Sequence, residues 1–182
     1  MTVRTATAPE ELASSVDVVF ARILRDHGAS LRRVAASYAR SDSETADLAQ
    51  EIAIAVWRAL PGFRGDASLR TFVFRIAHNR GVSFAHARAA AKVHDPIGDD
   101  DAIVDPSPSG VEVLLGRERR TALVEAIRAL PLGARSVMTL ALEGLTHEEI
   151  ANVLGTTPNS VAVRLNHARA RVREHVRKHH GT

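Results

Sequence analysis

The stretch GLTHEEIANVLGTTPNSVAVRLNHARARVREHV, residues 144–176, restricts the possible fold more than any other part of the chain. Thr146 and Glu149 stand in T-x-x-E order, in which the hydroxyl and the carboxylate each cap an otherwise unpaired amide at a helix start. Gly155 falls where a left-handed residue ends a helix. Pro158 falls where the next helix opens. Two helices joined by a short turn containing glycine, Thr146–Leu154 and one starting at Pro158, form a helix-turn-helix pattern. Beyond Pro158, Val161, Leu165, Ala168, Val172 and Val176 recur at helical spacing and predict a buried seam.

The other faces of that last helix carry Asn159, Ser160, Arg164, Asn166, His167, Arg169, Arg171 and Arg173. In such a pair the second helix enters the DNA major groove with its N-terminal residues nearest the base edges. Short polar groups at its start suit base edges, and arginines further along suit phosphate. The competing reading is an arginine-rich surface helix in an ordinary bundle.

The rest of the chain reads as helix too. Residues 15–41 place Val16, Val19, Phe20, Ile23 and Leu24, then Leu31, Val34, Ala35 and Tyr38, at helical spacing, with Gly28 a candidate break. A second helix follows with Asp42 or Ser43 as its cap, and Leu48, Ile52, Ala55 and Val56 along one side. Pro61 and Gly62 end it. After the polar loop PGFRGDASLR, a third helix turns Phe72, Ile76 and Phe84 inward. Residues 112–130 are amphipathic through Leu115, Leu123, Ile127 and Leu130, and Pro131 stops them. No segment alternates as a strand does. Aromatic residues are only 4% of the chain, and the abundance of alanine, leucine and arginine favours helix. The fold class expected is all-α.

Charge divides the 182 residues into three. Residues 1–92 hold 13 basic and 9 acidic side chains, residues 93–112 none and 6, residues 113–182 11 and 6. The middle segment, with Pro96, Pro106 and Pro108 and no helical period, reads as an extended acidic linker between two small helical domains, 12–92 and 113–178. Basic ends around an acidic middle point to nucleic acid. Lys92 and Lys178 are the only lysines, so the basic charge is almost entirely arginine, the better phosphate fork. With no cysteine, disulfides and thiolate metal sites are excluded. No signal core precedes residue 15, and no apolar run approaches the roughly 20 residues that span a bilayer. A cytoplasmic protein without membrane insertion is expected. Glycine-rich phosphate loops and nucleophile elbows are missing, and His175 and His179 lack a third ligand. No enzyme, cofactor or metal site is expected.

These residues also resemble a known family. LVEAIRALPLGARSVMTLALEGLTHEEIANVLGTTPNSVAVRLNHARARVREHV is similar to the C-terminal promoter-binding domain of bacterial sigma factors. DLAQEIAIAVWRAL resembles their polymerase-docking helix, and TFVFRIAHN their promoter-melting helix. The two in this order, over roughly residues 12–178, resemble an extracytoplasmic-function sigma factor. The resemblance implies binding to RNA polymerase core and to promoter DNA, and control by an anti-sigma protein. It places Asp47, Leu48, Gln50, Glu51 and Trp57 on or beside the docking helix. Asp47 equally suits solubility and capping, and Trp57 suits a partly buried core position slightly better than a docking one. It assigns the minus-10 element to the loop Phe63–Leu69 and the helix after it, through Arg64, Arg70, Arg75, His78, Asn79 and Arg80. There a base leaves the stack and single-strand backbone is held. Phe72 and Phe74 fit a core better than a stacking platform. The minus-35 element falls to Thr157, Asn159, Ser160, Arg164, His167 and Arg169. The acidic linker would thread the polymerase's basic channels.

The chain departs from the family pattern at Phe72, where tryptophan is usual, in the arginine-poor SFAHARAAAK, and at Ala162 and Val163, where a basic and a small polar residue are common. A sigma-like decoy and a stand-alone helix-turn-helix regulator are the alternatives.

Overall fold

The computed structural model of the protein describes residues 8–94 and 121–180. Every element in them is helical. The N-terminal block holds α1 (Ala8–Tyr38), α2 (Asp42–Ala59), a 3-10 turn (Leu60–Gly62) and α3 (Leu69–His94). The C-terminal block holds α4 (residues 121–128), α5 (Leu132–Leu142), α6 (His147–Leu154) and α7 (Pro158–His180). The linker assigned to 93–112 lies outside the described residues except for its first two, which continue α3. Leu115 lies outside them as well.

Helix α1 runs unbroken through Gly28. A lone glycine costs about 1 kcal/mol in a helix, too little to stop 31 residues whose far half is anchored in the core. Leu31, Val34, Ala35 and Tyr38 supply that anchor, all nearly inaccessible. The chain then folds back on itself through Ala39–Ser41. Ser41, not Asp42 or Ser43, caps α2: its Oγ accepts from the Glu44 amide at 3.1 Å. The Glu44 carboxylate in turn accepts from the Arg40 amide at 2.6 Å and from Arg88 of α3 at 3.0 Å. The cap moves by one residue because Ser41 is the position three before the residue whose carboxylate can reach back.

Thr45, Leu48, Ile52 and Val56 form the buried side of α2. Val73, Phe74 and Ala77 of α3 close this core, so Phe74 is a packing residue, with 1% exposure. Each such aliphatic or aromatic side chain contributes about 1.5–3 kcal/mol by leaving water. Gly81 lets α3 approach α1: a Cβ there would fall within 3.0 Å of three ring carbons of Tyr38.

In the C-terminal block the predicted punctuation is present. Thr146 Oγ1 accepts from the Glu149 amide at 3.2 Å, and Glu149 accepts from the Thr146 amide at 2.8 Å. Gly155 is left-handed, at φ 63° and ψ 42°. Val161, Leu165, Ala168 and Val172 are buried as the spacing predicted. Three apolar residues depart from expectation: Val19, Leu24 and Leu123 are exposed, at 37%, 39% and 36%. In α4 the smaller Ala122 and Ala126 take the buried side with Ile127, which turns Leu123 outward.

The two blocks share one contiguous apolar core. Polar contacts reinforce it. Arg33 of α1 grips the Glu143 carboxylate with two nitrogens, at 2.8 and 2.6 Å. The Glu143 side chain is only 4% exposed, so the pair is well shielded on that side. The ion pair holds the Arg33 guanidinium above its ordinary value. Tyr38 shares hydrogen bonds of 3.1 Å with both His78 of α3 and Ser136 of α5. Arg128 of α4 donates to the carbonyls of Ala36 and Arg40 at 2.9 and 3.2 Å.

Candidate nucleic-acid interface

Helix α7 presents the first face. Its buried seam turns the opposite side to solvent, leaving Asn159, Arg164, His167 and Arg169 exposed and Ser160 half-buried. Thr157 is exposed, yet its Oγ1 accepts from the Ser160 amide at 3.2 Å, so its hydroxyl serves as the helix cap. Six basic side chains and one acidic one, Glu174, lie between Pro158 and His180. The arrangement suits a polyanion, with short polar groups at the helix start and arginine beyond.

The second face is the start of α3. Ser68 caps the helix, accepting from the Thr71 amide at 3.0 Å. This holds the loop before it, in which Arg64 is exposed and Gly65 takes a φ of 80°. The rings of Phe63 and Phe72 pack 4.9 Å apart and brace the loop. Asn79 and Arg80 are exposed. Arg70 and Arg75 point to the other block. Arg70 donates to the Glu143 carbonyl at 2.7 Å and lies 3.7 Å from Glu149. Arg75 donates to the Asn152 carbonyl at 3.0 Å. A cavity of about 300 Å³ separates Asp66, Ser68, Thr71 and Arg75 on one wall from Thr146, Glu148, Glu149 and Asn152 on the other.

His78 does not join that face. It is turned inward against Tyr38, and burial holds its imidazole below the ordinary value. The i, i+4 step from the fully buried Phe74 puts it on the core side of α3.

The third face lies between α1 and α2. Asp47, Gln50, Glu51, Ile54 and Trp57 follow one stripe of α2, and all are exposed. Trp57 is 46% exposed, and its indole N–H donates to Asp17 at 3.0 Å, so it is not a core residue. Phe20, Leu24, Ala53, Ile54 and Trp57 line an almost wholly apolar groove of about 500 Å³, with Asp17 and Gln50 at its rim. Leu48 is no part of it. The side chain is fully buried because it starts the Leu48–Ile52–Val56 row on the opposite side of the helix. Sequence reasoning placed Leu24 inward, since periodicity alone does not tell a core stripe from an exposed apolar one. Ile54 escaped it among the alanines of α2.

Among the described residues no group of three histidine or carboxylate side chains is placed to hold a metal ion. No described helix is long and apolar enough to cross a membrane.

Known proteins match both blocks. The Sigma-70 region 2 family matches residues 23–90, and the Sigma-70 region 4 family matches residues 120–172. The chain is 33% identical to the ECF RNA polymerase sigma-E factor of Escherichia coli K12 over 134 residues, covering 68% of this chain and 69% of that one. It is 27% identical to the RNA polymerase sigma factor NccH of Alcaligenes xylosoxydans, over 84% of each chain. Among solved structures, CnrH in complex with the cytosolic domain of CnrY superposes with a TM-score of 0.65 at 25% identity, covering 95% of this chain and 99% of that one. The sigma factor RpoE in complex with the anti-sigma factor NepR from Bartonella quintana gives 0.70 at 21% identity, covering 87% and 96%, and supports the fold. With regions 2 and 4 carried on its two helical blocks, the chain belongs to the extracytoplasmic-function family of RNA polymerase sigma factors.

Proposed function

We propose that this chain, a sigma factor directing RNA polymerase in transcription initiation, divides its work among the three faces. The groove between α1 and α2 docks the polymerase core. Apolar walls supply the burial, and Asp47, Gln50 and Glu51 on the exposed stripe of α2 select a basic partner. The start of α3, with Arg64, Arg70, Arg75, Asn79 and Arg80, engages the minus-10 element, while His78 supports the fold behind it. The outer face of α7 engages the minus-35 element through Asn159, Ser160, Arg164, His167 and Arg169, with Thr157 capping the helix. No bond is made or broken by the chain itself, and it acts as a non-catalytic specificity subunit. It works in the compartment that holds polymerase and DNA.

One observation supports this reading above a stand-alone DNA-binding regulator. Trp57 and Ile54 stay exposed beside a closed core, on the block that does not carry the helix-turn-helix. Such a regulator has no need of that groove.

Arg70 and Arg75 are engaged by the C-terminal block, so promoter binding through them requires the blocks to separate. The relatives CnrH and RpoE are solved bound to CnrY and to the anti-sigma factor NepR. By that likeness an anti-sigma partner would hold this chain in the closed arrangement.

The test is reconstitution with core RNA polymerase on promoter DNA. Core binding with promoter-dependent transcripts is expected. Core binding without transcripts would identify a decoy, and DNA binding without core binding a stand-alone regulator.

A further inference from the structure

Helix α7 carries one exposed large apolar side chain among the described residues, Val163, at 50% exposure. At 100° per residue it lies about 200° around the helix from the fully buried Val161, at the centre of the outward face. Asn159 stands one turn before it and Asn166 and His167 one turn after, all exposed. Arg164 and Arg169 flank the same face. The other exposed large apolar residues of α1 and α2 include Leu24, Ile54 and Trp57, which gather in the docking groove. On the face of α7 Val163 has no other large apolar side chain beside it among the described residues.

Nothing in the fold accounts for valine there. Its side chain closes no core, and an exposed β-branched residue is a poorer helix former than alanine. Base edges do account for it. In the major groove, thymine differs from every other base by a C5 methyl group beside an acceptor oxygen, and small apolar side chains read that methyl by contact. A methyl-sized apolar surface flanked by amide and imidazole donors matches this edge, and the basic flanks match the phosphates on either side. A protein partner would favour a contiguous apolar patch, which this face lacks.

We propose that Val163 is a specificity-determining residue that contacts the C5 methyl of a thymine in the minus-35 element. This rests on the promoter-reading role of α7. First, holoenzyme formed from this chain and core polymerase selects its preferred element from randomised duplex DNA. Each thymine of that element is then replaced singly by deoxyuridine, which removes the methyl and leaves the hydrogen-bonding edge intact. Burying one methyl predicts about a fourfold loss of affinity at one thymine. Val163→Ala loses about the same factor on the thymine duplex and no longer distinguishes thymine from deoxyuridine there. Circular dichroism of the variant confirms that the exposed site leaves the fold unchanged.

Deoxyuridine neutral at every position would overturn the proposal, as would a Val163→Ala protein that keeps the distinction. Equal weakening of Val163→Ala on all duplexes, traced to loss of core binding, would assign the residue to a protein contact instead and also overturn it. If selection enriches no element at all, the promoter-reading role of α7 itself fails.

Discussion

Gly81 has no side chain because Tyr38 occupies the space where one would stand. The Tyr38 ring is 1% exposed, and its hydroxyl is tied on both sides, to His78 and to Ser136. It cannot swing aside for a methyl group. Gly81→Ala therefore forces α3 away from α1, and overpacking of this kind costs about 1–3 kcal/mol. Helix propensity returns up to about 1 kcal/mol of that. A net loss is expected, measured as a lower denaturation midpoint; a stabilised variant would show that the helices separate freely. His78 adds a pH dependence. Burial holds its imidazole below the ordinary value, so the unfolded chain takes up the proton first as pH falls. Its contribution to stability is complete above about pH 6.5 and declines as pH falls from there through the folded-state value. His78→Gln should flatten this decline in denaturant titrations compared between about pH 7.5 and about pH 5.5. An unchanged slope would place the titrating group elsewhere.

Among the elements, α2 separates its two tasks by angle. The Leu48–Ile52–Val56 row holds the fold, and the Asp47–Gln50–Ile54–Trp57 stripe is turned to solvent. Trp57→Ala should accordingly lower the denaturation midpoint only modestly, through the covered part of the ring and the hydrogen bond to Asp17. A central aromatic anchor is worth about 2 kcal/mol or more in binding, so core polymerase affinity should fall roughly 30-fold. A titration against core that shows no change would remove the groove from the docking surface. The elements also show what sequence alone makes visible. The Thr146–Glu149 box, the left-handed Gly155 and the seam of α7 are legible because each is settled within a few residues by local geometry. Helix α2's cap misses by one position for a related reason. Ser41, Asp42 and Ser43 are all competent caps, and the choice depends on where Glu44 reaches, which includes Arg88 of another helix. The exposure of Leu24 and Trp57 is not legible, because an apolar stripe meant for a partner has the same period as one meant for the core.

At the level of the whole molecule, the contacts that close the two blocks join residues far apart in sequence. Arg33 and Glu143 are 110 positions apart, and nothing in either neighbourhood marks them as partners. Arg33→Ala leaves the Glu143 carboxylate, 4% exposed, without its counter-charge. Because Arg33 is itself half exposed, the loss is that of an exchangeable charged hydrogen-bond pair, about 1.5–3 kcal/mol. That is enough to shift an equilibrium between closed and open arrangements by tenfold or more. Small-angle scattering should record a larger radius of gyration for the variant than for the parent chain. An unchanged radius would show that the shared apolar core alone keeps the blocks together.

Arg128 ties that closure to the integrity of α1. The last carbonyls of any helix lack partners within it, and here that of Ala36, together with that of Arg40 just past the helix end, is satisfied by a guanidinium from the opposite block. The N-terminal block thus borrows the end of its longest helix from its neighbour. When the blocks part, that terminus must turn to water, and the final turn of α1 becomes the first place to fray. Opening is then not a rigid swing of two finished bodies. It carries a local melting event with it, at residues 36–40, next to the Tyr38 ring against which α3 is fitted.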